Sequence, residues 1–511
     1  MSSAAKKVVV NTGVLYGKMI LTIGISLYTT RIVLSALGAE DFGIYNLVAG
    51  IVGMLSFLNA AMTTSTQRYL SFYQGTKELK VQKAVFTNSL FLHICLAFFI
   101  VFFIEIIGLF LFDGILNIPE DRLSTAKTIY HFMALSVFFS VISVPFVASI
   151  NSHENMLCIA IINIIEVFLK LFVALALFHE LIYSDNLAFY GFSMALIGFI
   201  SFALYMIFCL YRYEECSIRM RSTIRKSLLK ELTSFAGWNL FGAVCGMGRS
   251  QGLAIILNIF FGTVVNAAYG ISNQVAGQMN FFSATMLRAL NPQIMKSEGM
   301  GDRKRMLNLS MMASKFAFSL FAILAIPIIF EIDTILGIWL ESIPDNTIIF
   351  CQLSLIGIMI NQITIGLQSA IQATGRIKKY QLIVGSILLL NLPIAYILLS
   401  AGFEAYSVIV SYLVIESCAC ICRLILLKMV KGFSIRRYIK EVLLRIVAPT
   451  ICSVIACLAI THNVEYFKYR FVLTTFVSIV IFLLLFYLVS LASNERNMVK
   501  NACRDLLNKI K

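Results

Sequence analysis

Lys18 and Arg249 demand a chemical explanation before anything else in this chain, because each is a cation inside an apolar run long enough to cross a bilayer. A cation at the centre of a membrane helix costs roughly 2.5 to 3.5 kcal/mol on insertion scales. Such a residue therefore faces water, meets a partner or reaches the headgroups. Asn11, Lys18, Thr22, Ser26 and Thr29 follow one another at steps of seven, four, four and three, which places them on one helical stripe. Asn239, Gly242, Gly246 and Arg249 form a second stripe, and Asn273, Gly277, Asn280, Ala284, Arg288 and Asn291 a third. Cations set among amides and hydroxyls at membrane depth suit an anion whose charge must stay balanced while it crosses.

The remaining charges have two readings each. Arg31 and Arg68 lie within one or two turns of a span end, and Arg288 is similar, so snorkelling to headgroups and lining a cavity are both open. Glu166 and Lys170 make an i, i+4 pair in the favoured acid-first order, which reads as a structural ion pair, with Glu166 kept as a coupling candidate. Glu416 is the most isolated acid within a predicted span, with Arg423 two turns further on, and is the leading candidate for proton coupling. Cys418, Cys420 and Cys422 sit at i, i+2 and i+4 of one helix, where the first and second point to different faces, so packing rather than metal binding is expected of them. No metal, cofactor or catalytic residue is expected, and no Walker-type phosphate loop is present to hydrolyse ATP.

Apolar helices must hold these groups, and the composition supplies them. Of 511 residues, 59% are hydrophobic and only 13% charged, a balance far from that of soluble domains. Apolar segments of about 20 to 30 residues recur from residues 8–36 to residues 470–493, about fourteen in all. The opening run has no cleavage signature and is expected to be a retained first span. Loops alternate in charge around this circuit. "QGTKELKVQK", "RYEECSIRMRSTIRKSLLKE" and "MKSEGMGDRKRM" are basic, whereas "GAEDFG", "DGILNIPEDRLS" and "EIDTILGIWLESIPDN" are acidic or neutral, and "THNVEYFKYR" is the clear exception. An even number of spans with both termini cytoplasmic is expected, and the net charge of +15 reads as an orientation signal rather than a nucleic-acid surface.

An internal repeat organises the segments. At an offset of 224 residues Gly13 falls on Gly237, Gly24 on Gly248, Gly38 on Gly262, Gly53 on Gly277 and Tyr45 on Tyr269. The reading is an N-lobe of helices 1–6 over residues 1–213, a basic linker over 214–232, a C-lobe of helices 7–12 over 233–436, and two additional helices with a cytoplasmic tail over 437–511. Parallel repeats of this kind are expected to alternate access along a path between the lobes.

The opening "NTGVLYGKMILTIGISLYTTRIVLSALGAEDFGIYNL", the stretch "QRYLSFYQG" and the later "ILNIFFGTVVNAAYGISNQVAGQMNFFSATMLRALNPQI" resemble the polysaccharide and O-antigen flippases (Wzx-like) of the multidrug/oligosaccharidyl-lipid/polysaccharide (MOP) exporter superfamily. The resemblance implies an all-α, polytopic, MATE-like fold with two pseudo-symmetric six-helix lobes and two further helices. It implies a transporter rather than an enzyme, one that flips undecaprenyl-diphosphate-linked oligosaccharide repeat units across the bacterial inner membrane for O-antigen, lipopolysaccharide, capsule or exopolysaccharide synthesis. Its expected partners are the lipid-linked oligosaccharide, membrane lipids, and polymerase and chain-length proteins of the same pathway, with no nucleic acid. Lys18, Arg31, Arg68, Arg249, Arg288, Asn239, Asn273 and Asn280 are the candidate substrate-binding groups, and Glu416 and Glu166 the coupling candidates. A cation-coupled multidrug exporter of the MATE type and a peptidoglycan lipid-precursor flippase are the alternatives. About fourteen spans suit a lipid-linked sugar flippase better than a drug exporter, which typically has twelve. A membrane polymerase is disfavoured because every outside loop is short.

Overall fold

The computed structural model describes residues 3–53, 56–112, 118–179, 185–216, 225–340, 343–430, 432–464, 469–492 and 495–496. Regular structure among them is entirely helical. In chain order the helices are α1 (Ser3–Gly53), α2 (Ser56–Thr76), α3 (Leu79–Phe110), α4 (Leu123–Ser152), α5 (Met156–Phe178), α6 (Asn186–Arg212), α7 (Lys226–Gly299) and α8 (Arg303–Phe330). There follow α9 (Ile332–Trp339), α10 (Thr347–Thr374), α11 (Lys378–Leu389), α12 (Asn391–Ser400), α13 (Ser407–Lys428), α14 (Ile435–Tyr438), α15 (Leu444–Asn463) and α16 (Arg470–Leu485).

The molecule is a multi-pass helical membrane protein. Twelve helices among the described residues are long and apolar enough to cross a membrane, against the fourteen segments expected. The difference has local causes. One of the twelve is the 74-residue α7, which runs through Gly262 and so carries two of the expected segments. The expected segment at 42–72 crosses residues outside the described set, and its second part, α2, is rich in Thr, Ser and Gln. Residues 217–224 of the expected linker, and the tail beyond residue 496, also lie outside the described residues.

Short polar connections end the helices where the sequence supplies caps. Asp185 accepts hydrogen bonds from the amides of Leu187 and Ala188, Asn155 from Cys158, and Asp302 from Arg305. Each carboxylate or amide satisfies donors that would otherwise be orphaned at a helix start.

The chain divides into two compact units, Val10–Leu240 and Phe241–Lys511 with Met1–Val9. In the N-terminal unit α4 packs against α2, α3 and α6; in the C-terminal unit its counterpart α10 packs against α8 and α13. The pseudo-symmetry extends to backbone detail. Gly38 has φ 77° and ψ 170°, and Gly262, 224 residues later, has φ 77° and ψ −162°. Only glycine reaches this region without strain, so the same break is built at the same place in both repeats. Lys77 and Gly301 both take positive φ at that offset, each followed by an acidic residue, Glu78 and Asp302, at the next helix start. Tyr45 meets Tyr190 at 4.8 Å between ring centroids within the N-terminal unit.

The two additional helices belong to the C-terminal unit. Ile446, Cys457 and Phe482 bury themselves against Phe318, Ala322 and Ile326 of α8. At one end of this contact Arg470 Nε donates to the fully buried Glu331 at 3.0 Å, and Thr474 donates to the same carboxylate at 2.8 Å. Toward the other end Lys315 is paired with Glu495.

Candidate functional site

The described C-terminal unit assembles a buried charge cluster from three helices. Glu416 of α13 is 1% exposed and accepts from Arg249 Nη1 of α7 at 3.1 Å and from Asn361 Nδ2 of α10 at 2.7 Å. Arg423 Nη1 lies 3.1 Å from Oε1, the oxygen that Asn361 also meets, and donates to Thr364 Oγ1 at 3.1 Å, while Arg249 holds Oε2. Tyr412, Glu416, Cys420 and Arg423 sit at steps of four, four and three, which turns all four toward one face of α13. The Arg249 guanidinium also lies 4.5 Å above the Tyr412 ring.

Two guanidiniums meet one carboxylate here, so this group of three carries one positive charge in excess at membrane depth. Desolvating ions is expensive, and the attraction within the cluster offsets that cost only while each charge keeps its partners. The two cations are not equivalent. The side chain of Arg423 is 3% exposed, whereas that of Arg249 is 17% exposed and opens onto a cavity of about 90 Å³. Tyr269, Asn273, Ser354 and Tyr412 share the walls of that cavity with Arg249. Tyr269 Oη donates to the Ser250 carbonyl at 3.4 Å. The cavity thus presents a guanidinium edge, an amide and hydroxyls, a set that can bind an oxyanion or a polyol.

Arg249, Asn273 and Glu416, proposed separately from sequence, come together in this cluster. The expectation that Glu416 is an isolated acid is corrected. Its partners lie 167 and 55 residues away in sequence, on helices whose relative positions no local spacing reveals. Arg249 is likewise an ion-paired cation rather than a bare one. Elsewhere on α7, Arg288 is exposed and 5.8 Å from the Phe281 ring centre, and Asn280 accepts from Gln362 Nε2 at 2.8 Å.

The N-terminal unit holds the other candidates. Lys18 is half-buried, and its Nζ donates to Asn163 Oδ1 at 3.0 Å, while Asn163 Nδ2 donates to Tyr205 Oη at 2.8 Å. Arg31 is exposed, and Asn239 is buried. Arg68 is buried with its guanidinium 4.5 Å from the Tyr69 ring and 4.8 Å from Phe72, held by aromatic faces rather than extended to headgroups. Glu166 and Lys170 form the expected i, i+4 pair at 2.7 Å. Sequence reasoning missed Asn361, Thr364, Tyr269 and Tyr412. The stripe Tyr412–Glu416–Cys420–Arg423 was the signal available, since three polar or ionisable groups flank the acid on one helical face.

No protein-family model matches the chain, and no curated protein matches it. Solved structures do. A multidrug-resistance MATE family transporter of the MOP superfamily in an outward-facing conformation aligns with a TM-score of 0.71 at 14% identity, over 83% of this chain and 95% of that one. A MOP superfamily transporter from Pyrococcus furiosus, whose reversed binding-pocket polarity suggests a different function, aligns with a TM-score of 0.68 at 14% identity over 83% and 95%. A MATE structure in the straight conformation gives 0.70 at 15% over 83% and 96%. The chain therefore has the fold of the MATE transporters of the MOP superfamily.

Proposed function

We propose that this protein is a flippase for undecaprenyl-diphosphate-linked oligosaccharide repeat units, working by alternating access in the bacterial inner membrane with both termini in the cytoplasm. The observation that carries the proposal is the excess cation of the Arg249–Glu416–Arg423 cluster, exposed through Arg249 to a cavity lined by an amide and hydroxyls. An excess positive charge in low dielectric attracts a diphosphate and repels a cationic drug. Lys18, which is tied to Asn163, supplies a second cation at membrane depth in its own unit. Glu416 is the proposed coupling group. A proton on its carboxylate releases Arg249 for a substrate phosphate, and loss of that proton returns Arg249 to the ion pair.

The test is complementation of surface-polysaccharide display in a flippase-deleted strain, with protein abundance followed by blot. Arg249→Lys is expected to retain partial display, because it keeps the charge but loses the planar fork stacked on Tyr412, and Arg249→Ala to lose most of it. Glu416→Gln is expected to fold and to lose the response of transport to an imposed pH gradient. Full display by a Lys18→Ala/Arg249→Ala double variant would sink the reading. The fold likeness favours a second reading, a cation-coupled multidrug exporter of the MATE type. That one predicts drug resistance on expression and no rescue of display.

A further inference from the structure

Apart from these clusters, the N-terminal unit contains a cavity of about 320 Å³ where the last turns of α3 face the first turns of α4. Glu105, Lys127 and His131 line it, together with Gly108, Leu109 and Tyr130. His131 Nδ1 lies 2.9 Å from Glu105 Oε2, and Tyr130 Oη donates to the Ile104 carbonyl at 2.5 Å, which fixes one wall. Gly108 has no side chain to obstruct that wall, since a Cβ there would come within 3.1 Å of Tyr130 Cζ.

The position and lining of the cavity together select a ligand. Glu105 precedes the end of α3 by five residues and Lys127 follows the start of α4 by four, which at 1.5 Å per residue is about 6 to 8 Å from the helix ends. That is headgroup depth. Deeper along α3, Phe98, Phe99, Phe102 and Phe103 are 63%, 54%, 61% and 42% exposed, an apolar face suited to acyl chains. In charge the cavity offers one ammonium and one carboxylate, with an imidazole bonded to the acid. A zwitterion balances this set, whereas a free anion or an anionic lipid leaves the carboxylate opposed. Beyond its contact with His131, the Glu105 carboxylate can accept a further N–H bond, which a primary ammonium supplies and a quaternary one does not.

We propose that this cavity binds the headgroup of a phosphatidylethanolamine-type phospholipid, with Lys127 on the phosphate, Glu105 on the ammonium and the exposed phenylalanines along a chain. The site is independent of the transported substrate.

The full-length protein, purified and equilibrated with equal amounts of phosphatidylethanolamine, phosphatidylcholine and phosphatidylglycerol bearing the same chains, tests this by native mass spectrometry. The ethanolamine adduct is expected to exceed each of the others by about tenfold, the scale of one charge-assisted hydrogen bond. Glu105→Gln is expected to reduce it to the choline level and Lys127→Gln to weaken all three adducts, since the phosphate is common to them, with helicity and size-exclusion behaviour unchanged. Lys127 is exposed, so its replacement leaves the core intact. Equal adducts in the unaltered protein, unchanged selectivity in Glu105→Gln, or undiminished adducts in Lys127→Gln overturn the proposal. Glycerophosphoethanolamine, which carries the headgroup without chains, is expected not to displace the lipid. Displacement at equal concentration overturns the assignment to a chain-bearing lipid.

Discussion

The two repeats share a backbone and differ in where they bury an acid. The most buried carboxylate described in the N-terminal unit is that of Glu215, 4% exposed and just beyond the end of α6, where His153 Nε2 lies 2.7 Å away and Ser149 donates at 2.8 Å. The C-terminal unit has Glu331 at the end of α8, held by Arg470 and Thr474, and in addition buries Glu416 inside a span and between two guanidiniums. Glu215 clasps a helix end to the α4–α5 turn, with the His153 ring stacked 4.0 Å from Tyr213. Glu416 instead holds a cation that also reaches a cavity. The two units share the backbone break at Gly38 and Gly262 and differ in the charged groups placed around it. Membrane-embedded ions are costly, so this asymmetry makes the two units chemically distinct.

The largest expected effect comes from breaking the C-terminal cluster. Glu416→Ala leaves two buried guanidiniums facing each other and should cost about 3 to 5 kcal/mol. It would be read as loss of folded protein in detergent, with partial recovery in a Glu416→Ala/Arg423→Leu double variant. Recovery no better than the single variant would show that the pair is not the source of the cost.

Glu215→Gln should cost about 2 kcal/mol at neutral pH, the value of a hydrogen bond to a charged group. Burial pushes the Glu215 carboxyl up, but the His153 hydrogen bond and charge, with Ser149, more than offset it and leave it below the ordinary carboxylate range. A depressed folded value means that the stabilisation is complete above the ordinary range and is lost as pH falls through the lower, folded one. The gap in apparent Tm between the unaltered protein and Glu215→Gln should therefore close on acidification. A constant gap would argue against the charged clasp.

Gly38→Ala and Gly262→Ala sharpen the comparison from the side of symmetry. Each forces a Cβ into a backbone region reserved for glycine, at about 1 to 2 kcal/mol. Matched losses in thermal stability are expected, because both sites have open space for the added atom and suffer only backbone strain. A large inequality between them would mean that the two bends are not equivalent.

Smallest is the half-exposed Glu166–Lys170 pair of α5, where Glu166→Gln should change stability by less than about 0.5 kcal/mol. Unaltered transport in this variant, beside a pH-blind Glu416→Gln, would assign coupling to one unit alone. Loss of pH response in both would restore Glu166 as a coupling group.

Much of the architecture was legible in the chain because a bilayer enforces it residue by residue. Backbone polar groups must be satisfied within each span, so helix follows from apolar length, and α5, α6, α10 and α13 begin and end within a few residues of their expected limits. The repeat offset was legible too, but not the bends: Gly13, Gly24, Gly237 and Gly248 share that offset without positive φ, which Gly38 and Gly262 take. Only the tertiary structure decided the partners of the charges. Spacing along one helix shows that Tyr412, Glu416 and Arg423 share a face, but Arg249 and Asn361 reach Glu416 from other helices. Periodicity reports direction around a single axis and carries no record of which axis lies opposite, so the acid that looked solitary in sequence is the most densely paired group in its cluster.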